Sequence, residues 1–380
     1  MMTSRERLLC VLNGDVPDRV PVSPFVQEDF LSDYFNKSGT DRLLDGIACA
    51  KELDFDLMAK ENKYGFPHFM RKSYPNWQLD IKTFVEKGNY YKITTIKTPL
   101  KELKQVEVAP YDEKSITGIH VSTTEYLIKD ESDFEAFNKY VPEMDKADVE
   151  FILEGGRFAK KSIEDVGISN PWGTGGVYNQ VSNYIDIQNM MMDSLTDEEY
   201  YQAYMSKFAD LIGKSNEIFA ISEFDSVGVA GNIANGSMVG ESFFNQHILP
   251  YETIALKPLI QANKPTIYHN CGYAKKLYSC YKTLGVTCWE TIAQLPQGDN
   301  CLQDAKEFFG TSIVLCGTLD QVVYLKNATP EEIFALAAQT VLIGKPNAHY
   351  IFAASDFLEK GTPIENIRAM IAGAKSTAAY

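Results

Sequence analysis

The chain has 380 residues, of which 45% are hydrophobic and 12% aromatic, so it is long and apolar enough to bury a large core. Its net charge of −15, with no basic run, argues against a nucleic-acid partner, because phosphate binding needs clustered Lys and Arg. The N-terminus lacks the apolar segment of a signal peptide, and no stretch of about 18 apolar residues is present to span a membrane. We therefore expect a globular cytoplasmic protein without a nucleic-acid or membrane partner, whose seven cysteines are free thiols.

Eight short apolar or β-branched runs, each bounded by turn residues, predict strands. They lie at residues 19–25, 55–60, 166–170, 226–230, 265–269, 286–290, 312–316 and 350–354. Helix-length segments separate most of them, and four of these segments begin with a threonine three residues before a glutamate, at Thr3, Thr196, Thr329 and Thr362. Eight strand–helix units predict an α/β fold, and a closed (β/α)₈ barrel rather than an open doubly wound sheet.

One segment, residues 62–125, breaks the alternation after the second predicted strand. The stretch from Asn89 onward, with turn signals at Pro99 and at Pro110, is typical of β-hairpins. We interpret this insert as a lid or as a flap in a homodimer. Because no repeat or flexible linker interrupts the chain, residues 1–380 are predicted to form a single barrel domain.

A histidine and a cysteine two residues apart end the fifth predicted strand, at His269 and Cys271, and Cys316 ends the seventh. Side chains in a strand repeat with period two, so the first two point to the same side. Two thiolates and one imidazole suit Zn²⁺, and a site with three protein ligands is usually catalytic because the fourth position stays open. The alternative is a structural cysteine beside a histidine that hydrogen-bonds to the backbone.

In a (β/α)₈ barrel the chemistry lies where the strands end, so the same three residues are predicted to meet at one barrel mouth. Glu290 ends the sixth predicted strand, between the ligand strands, and is a candidate catalytic residue that moves on and off the metal. Cys288, two residues earlier, is the substitute ligand if this assignment fails.

Two further groups follow predicted strands at the same end. Asn232 is a candidate catalytic residue and Asn235 a candidate cofactor-binding one, although asparagines beside glycines are commonly turn formers. Trp172 and Tyr178 bracket a glycine-rich loop that lacks the spacing of a phosphate-binding motif. These two aromatic residues are candidates for the wall of a cofactor site.

Several segments resemble the uroporphyrinogen decarboxylase superfamily, and the resemblance covers nearly the whole chain. They are Thr3-Ser-Arg-Glu-Arg-Leu-Leu, Pro17-Asp-Arg-Val-Pro-Val, Gly240-Glu-Ser-Phe-Phe-Asn-Gln-His-Ile-Leu-Pro-Tyr251, His269-Asn-Cys-Gly272 and Gly361-Thr-Pro-Ile-Glu-Asn-Ile-Arg-Ala-Met370. The resemblance implies a (β/α)₈ barrel. It also points to the branch of zinc-dependent corrinoid methyltransferases, which is defined by a His-X-Cys pair and a distant third cysteine.

Membership in that branch implies methyl transfer between a corrinoid carried by a separate protein and a small-molecule thiol, methyl ether or alcohol. The direction of transfer stays open. A decarboxylase is the alternative enzyme, but its arginine-rich substrate segment is replaced here by Pro24-Phe-Val-Gln-Glu-Asp-Phe, which would repel an octa-anionic porphyrinogen. A non-catalytic zinc- or corrinoid-binding protein is a further alternative, distinguished by whether the metal keeps an exchangeable position.

Overall fold

The computed structural model describes residues 1–111 and 121–380, and in them strands and helices alternate over most of the chain. The strands are β1 (Leu57–Ala59), β2 (Gln78–Glu86), β3 (Asn89–Lys97), β4 (Glu102–Pro110), β5 (Ser122–Glu125), β6 (Gly167–Ser169), β7 (Val227–Ala230), β8 (Thr266–His269), β9 (Cys288–Ile292), β10 (Val314–Leu319) and β11 (Tyr350–Ala354). The α-helices are α1 (Ser4–Leu12), α2 (Glu28–Tyr34), α3 (Leu44–Leu53), α4 (Glu131–Tyr140), α5 (Lys146–Ile163), α6 (Val177–Val181), α7 (Ile187–Thr196), α8 (Glu198–Ile221), α9 (Glu241–Phe243), α10 (Leu249–Gln261), α11 (Tyr278–Leu284), α12 (Leu302–Phe309), α13 (Tyr324–Asn327), α14 (Pro330–Gly344) and α15 (Ile364–Thr377). Among the described helices, none combines the length and apolarity needed to cross a membrane.

The parallel strands form two sheets, so the fold is α/β. β1 pairs with β6, and a second sheet has the order β11-β10-β9-β8-β7. Backbone contacts run between these sheets and the segment before β1: Val22 forms a parallel bridge with Phe352, and the Asp56 amide donates to the Val22 carbonyl. The two sheets are also linked between β6 and β7, because the Gly228 amide of β7 donates to the carbonyl of Pro171, which follows β6.

Seven of the eight predicted runs overlap a parallel strand, and the first, residues 19–25, contributes only isolated bridges, a parallel one from Val22 to Phe352 and an antiparallel one from Arg19 to Ala379. The predicted ends of the sixth and seventh strands were wrong. β9 does not end at Glu290 but continues to Ile292. β10 does not end at Cys316 but continues to Leu319, because its backbone stays paired with β11 as far as Leu319 opposite Ala354. Cys316 therefore lies in the middle of its strand.

The helix-start signals are confirmed at two of four positions. Thr3 and Thr329 form capping boxes. In each, the threonine hydroxyl accepts from the backbone amide of the glutamate three residues later, and that glutamate's side chain accepts from the threonine amide. The other two predictions were wrong. Asp197, not Thr196, caps α8, and α15 follows Pro363 with no side-chain cap from Thr362.

Between β1 and β6 in the chain, an antiparallel sheet has the order β2-β3-β4-β5. Its first strand, β2, precedes the segment whose sequence indicated hairpins. The pattern missed β2 because almost all of its side chains are exposed, so no buried face produced an alternation. The predicted hairpin residues at 112–120 lie outside the described part of the chain.

Apolar side chains from α1 and the parallel strands form a separate cluster that we call the inner cluster. Its buried members are Leu8, Val11, Leu12, Met58, Ile168, Ile267, Cys288, Val314, Cys316, Ile351 and Ala353. A larger cluster fills the space around the remaining helices. Cys288 and Cys316 are therefore part of the apolar core.

A buried ion-pair network joins the start of the chain to β1. Asp56, whose side chain is 0% exposed, accepts from the guanidinium groups of Arg7 at 2.7 Å and Arg19 at 2.8 Å. Its Oδ2 also accepts from the Val22 amide at 2.8 Å. One carboxylate thus holds α1 and the bridge segment against the first strand.

We expect Asp56→Ala to lower the free energy of unfolding by about 3 kcal/mol, because Arg19 and the buried Arg7 lose a shared carboxylate and Arg7 keeps only Asp18. Urea denaturation followed by circular dichroism measures the change. Asp80→Ala is the matched control, since Asp80 is exposed on β2 and its ion pair with Lys82 is solvated. Equal denaturation midpoints for the two variants would contradict this role for Asp56.

A second buried carboxylate, Glu252 of α10, lies against the start of α6. Its Oε1 accepts from the Tyr178 amide at 3.2 Å, and its side chain is almost fully buried. Burial raises the pKa of Glu252 from 4.5 to about 7, against the opposing effect of the backbone amides of Val177 and Tyr178. The folded protein therefore holds a proton on Glu252 over a pH range in which the unfolded chain has lost it.

The contribution of Glu252 to stability is therefore fully present below the unfolded pKa and is lost as the pH rises towards 7, by up to about 1.4 kcal/mol per pH unit. Glu252→Gln keeps the oxygen that accepts from α6 but cannot ionise, so it should flatten this part of the profile. Urea denaturation between about pH 5 and pH 8 measures the slope. Glu217→Gln, at an exposed site on α8, should leave the slope unchanged. An unaltered slope in Glu252→Gln would exclude Glu252 as its source.

Candidate metal centre at the strand ends

Three potential metal ligands converge at the carboxyl end of the parallel strands. His269 is the last residue of β8, Cys271 follows two residues later, and Asp356 lies two residues beyond β11. Their ligand atoms all lie within 4.8 Å of one another. The structure therefore brings the predicted pair His269 and Cys271 together with a carboxylate.

This convergence crosses two intervening strands. β8 and β11 are separated by β9 and β10. In a flat sheet, three strand spacings would place them about 14 Å apart. A sheet that curls would bring the residues beyond β8 and β11 closer together than this.

The donor set fits Zn²⁺, which binds imidazole nitrogen, thiolate sulfur and carboxylate oxygen. Three such donors leave one position open for a small molecule, as in catalytic zinc sites. Sequence patterns did not reveal Asp356, because it follows the eighth predicted strand without a second ligand at a recognisable spacing. The only available signal was its position just after a strand end.

The structure does not bring Cys316 into this group, contrary to the expectation that it is the third ligand. Cys316 lies inside β10, is 2% exposed and belongs to the inner cluster. Burial raises the pKa of its thiol, with a further contribution from the charge of Glu290. Cys288, the predicted substitute, lies in the same cluster.

Glu290 lies behind His269 and is fully engaged. Its Oε1 is 3.1 Å from His269 Nδ1, and its Oε2 forms an ion pair with Lys60, which follows β1. The side chains of Lys60 and Glu290 are 1% and 3% exposed. A carboxylate bound to one ring nitrogen orients a metal-binding histidine and leaves the other nitrogen for the metal. The sequence analysis did not identify Lys60 as a site residue. The available signal was a lysine directly after a buried apolar strand, where a cation needs a buried partner.

The charges of these groups shift their proton affinities. Burial lowers the pKa of His269, but hydrogen bonds to Cys271 and Glu290 outweigh it and raise the pKa to about 10. Burial raises the pKa of Glu290, but the charge of Lys60 and the contact with His269 bring it down to about 2. Burial raises the pKa of Asp356, opposed by the charge of His269. A metal ion would therefore compete with protons for His269.

A cavity of about 430 Å³ opens over the three ligands. Its aromatic lining is Phe25, Trp172 and Phe357, and its other polar lining is Gln27, Arg42, Asn62 and Asn232. The ring of Trp172 meets the His269 ring edge-on at 5.2 Å between centroids. Arg42 was not expected here, but its charge is compensated by an ion pair with Glu28 at 2.5 Å. The cavity thus combines an aromatic wall with polar groups of little net charge.

The other predicted site residues divide into two groups. Trp172 and Asn232 line the cavity, whereas Tyr178 and Asn235 are not among its lining residues. Tyr178 is fully buried in α6, next to Phe243. Asn235 holds its own turn, since its Nδ2 donates to the Asn232 carbonyl and its Oδ1 accepts from Ser237. Asn235 is therefore a turn-forming residue, as the alternative interpretation of the sequence held.

Comparison with known proteins finds relatives of matching fold. A curated Methanosarcina mazei protein, methylated-thiol–coenzyme M methyltransferase, is 24% identical over 191 residues, which make up 50% of this chain and 48% of that protein. The chain thus spans about half the length of this relative. A solved structure described as a methyltransferase from Methanosarcina mazei superposes with a TM-score of 0.70 at 15% identity, covering 99% of each chain. At that identity the likeness shows the fold alone.

The model of the family described as uroporphyrinogen decarboxylase (URO-D) matches residues 116–377, which is more than half of the chain. The chain therefore belongs to the uroporphyrinogen decarboxylase family.

Proposed function

We propose that this protein is a zinc-dependent methyltransferase that moves a methyl group between a corrinoid, carried by a partner protein, and a small-molecule thiol, methyl ether or alcohol. The observation that carries the proposal is the group His269, Cys271 and Asp356, whose ligand atoms lie within 4.8 Å of one another beside an aromatic cavity. The name of the Methanosarcina mazei relative, a methylated-thiol–coenzyme M methyltransferase, supports the same class of reaction.

In this proposal His269, Cys271 and Asp356 hold the zinc ion. Zinc bound there supplies a Lewis acid that stabilises negative charge on a substrate sulfur or oxygen. Glu290 accepts a hydrogen bond from His269 Nδ1 and so presents the other ring nitrogen to the metal. Phe25, Trp172 and Phe357 exclude water from one side of the reacting group, while Asn232 offers an amide for orienting the substrate.

We also propose that the parallel strands close into one (β/α)₈ barrel domain, with the antiparallel sheet as an insert between β1 and β6. The convergence of β8 and β11 on one metal group favours closure, since an open flat sheet would separate them. Backbone hydrogen bonds from Asp56 to Val22 and from Phe352 to Pro21 support a ring that continues through the segment before β1.

Decarboxylation of a porphyrinogen is the alternative reaction within this family. It would require cations to bind the many carboxylates of the substrate. Of the arginines and lysines, only Arg42 lines the described cavity, and Glu28 compensates it. This charge balance favours methyl transfer.

The first test of the proposal is metal content. We expect wild-type protein to bind about one zinc ion per chain, and Cys271→Ala and Asp356→Ala to retain less than about a tenth of it, because each removes a direct ligand. Cys316→Ala is the matched control and should keep the metal, since Cys316 packs in the inner cluster. Elemental analysis after gel filtration decides. Retention by Asp356→Ala together with loss by Cys316→Ala would restore Cys316 as the third ligand.

The second test is methyl transfer itself. We expect zinc-loaded protein to change the visible spectrum of free methylcobalamin with a thiol acceptor, or of cob(I)alamin with a methyl ether donor. Chelator-treated protein and Cys271→Ala should leave the spectrum unchanged, because both lack the bound metal. Release of CO₂ from uroporphyrinogen, without a spectral change for any donor and acceptor, would instead support the decarboxylase. A metal that admits no exogenous ligand would support the non-catalytic alternative.

A further inference from the structure

Beneath the candidate ligands lies a buried cation that takes no part in the ligand group. The Lys60 side chain is 1% exposed and forms an ion pair with Glu290 Oε2. The other oxygen of Glu290, Oε1, is bound to His269 Nδ1 at 3.1 Å. Both carboxylate oxygens are therefore already engaged, one by a cation and one by the histidine.

The surroundings of Lys60 fix its ammonium group in place. Its Nζ lies 4.3 Å from the centroid of the Phe25 ring and 5.1 Å from that of Trp172, in the arrangement of a cation–π contact. The same two rings meet His269 edge-on, with centroid separations of 6.1 Å and 5.2 Å. Phe25 and Trp172 thus contact both ends of the Lys60–Glu290–His269 series.

Glu290 would otherwise be well placed to bind the metal. It lies on β9, opposite His269 in the register with β8, and carboxylate oxygen is an accepted zinc ligand. A glutamate that added itself to His269, Cys271 and Asp356 would complete four-coordination and close the position needed by a substrate. Glu290 can thus either accept a hydrogen bond from His269 or bind the metal. Which of these it does depends on the partner of its second oxygen, Oε2, which is Lys60.

We propose that Lys60 is a positioning residue that holds Glu290 as the hydrogen-bond acceptor of His269 and thereby keeps the fourth coordination position open for the substrate. The inference rests on the metal centre of the proposed function. Without the ammonium group, the buried carboxylate has no compensating cation, and its most favourable partner becomes the metal ion. Lys60 acts through Glu290 and does not itself contact the metal or the substrate.

Cobalt-substituted protein tests this role without measuring activity. Co²⁺ takes the place of zinc and reports its ligands through visible absorption, so imidazole can be titrated as a probe of the open position. We expect Lys60→Met to weaken imidazole binding by about tenfold or more, because Glu290 occupies the position. The double variant Lys60→Met/Glu290→Gln should bind imidazole with nearly wild-type affinity, since the glutamine can accept from His269 but carries no charge.

A matched control separates this role from general destabilisation. Lys345→Met removes another lysine that lies over an aromatic ring, that of Tyr380, and should leave the cobalt spectrum and imidazole affinity unchanged. Recovery in the double variant is a result that mere loss of packing at Lys60 would not produce. Failure of the double variant to recover would overturn the role of Glu290 as the competing ligand.

The outcomes also separate this inference from the proposed function. Wild-type protein that binds neither zinc nor cobalt would contradict the metal centre, and this assignment with it. Wild-type protein that binds cobalt, alongside a Lys60→Met variant with unchanged imidazole affinity, would overturn the role of Lys60 and leave the metal centre standing.

Discussion

The common direction of the parallel strands is the constraint on which the candidate site depends. Because β8, β9 and β11 run parallel in one sheet, they end at the same edge, and Lys60 after β1 of the other sheet reaches Glu290 there, so residues from distant parts of the chain arrive at one place. Lys60 and Glu290 are 230 residues apart in sequence and still form a buried ion pair. At that edge Asp356, which follows β11, lies close to His269 and Cys271 at the end of β8, although two strands separate β8 from β11.

The two ends of the strands carry different kinds of charged groups. At the amino end of β1, Asp56 binds two arginines and a backbone amide, a closed arrangement in which both carboxylate oxygens are bonded. At the carboxyl end, His269, Cys271 and Asp356 point at one another beside a cavity. The bonded carboxylate at the amino end stabilises the fold, whereas the ligand group at the carboxyl end is open to a bound molecule. The same division of roles between the two ends of the strands is typical of strand–helix folds.

The observed group has the carboxylate of Asp356 where the sequence predicted the thiolate of Cys316. The total ligand charge is the same in the two sets, but the donor atom differs. One thiolate and one carboxylate carry the same two negative charges as two thiolates, but oxygen is a harder donor than sulfur. A zinc ion in this set would receive less electron density than in a set with two thiolates and would be a stronger Lewis acid. The Lys60–Glu290 pair adds no net charge behind His269, so it does not change the charge that the ligands present to the cavity.

The sequence by itself determined the features that depend on neighbours in the chain. The His-X-Cys pattern placed His269 and Cys271 together near a strand end, and apolar runs located the strands, because both patterns are local; the period-two argument did not apply, since β8 ends at His269. It could not determine the end of β10, since Cys316 and Leu319 are equally buried and only pairing with β11 extends the strand. Tertiary structure alone decided that Asp356 joins the ligands, that Cys316 packs in the core and that Lys60 pairs with Glu290. These contacts depend on which strands are neighbours and how sharply the sheet curves, and no local pattern encodes either.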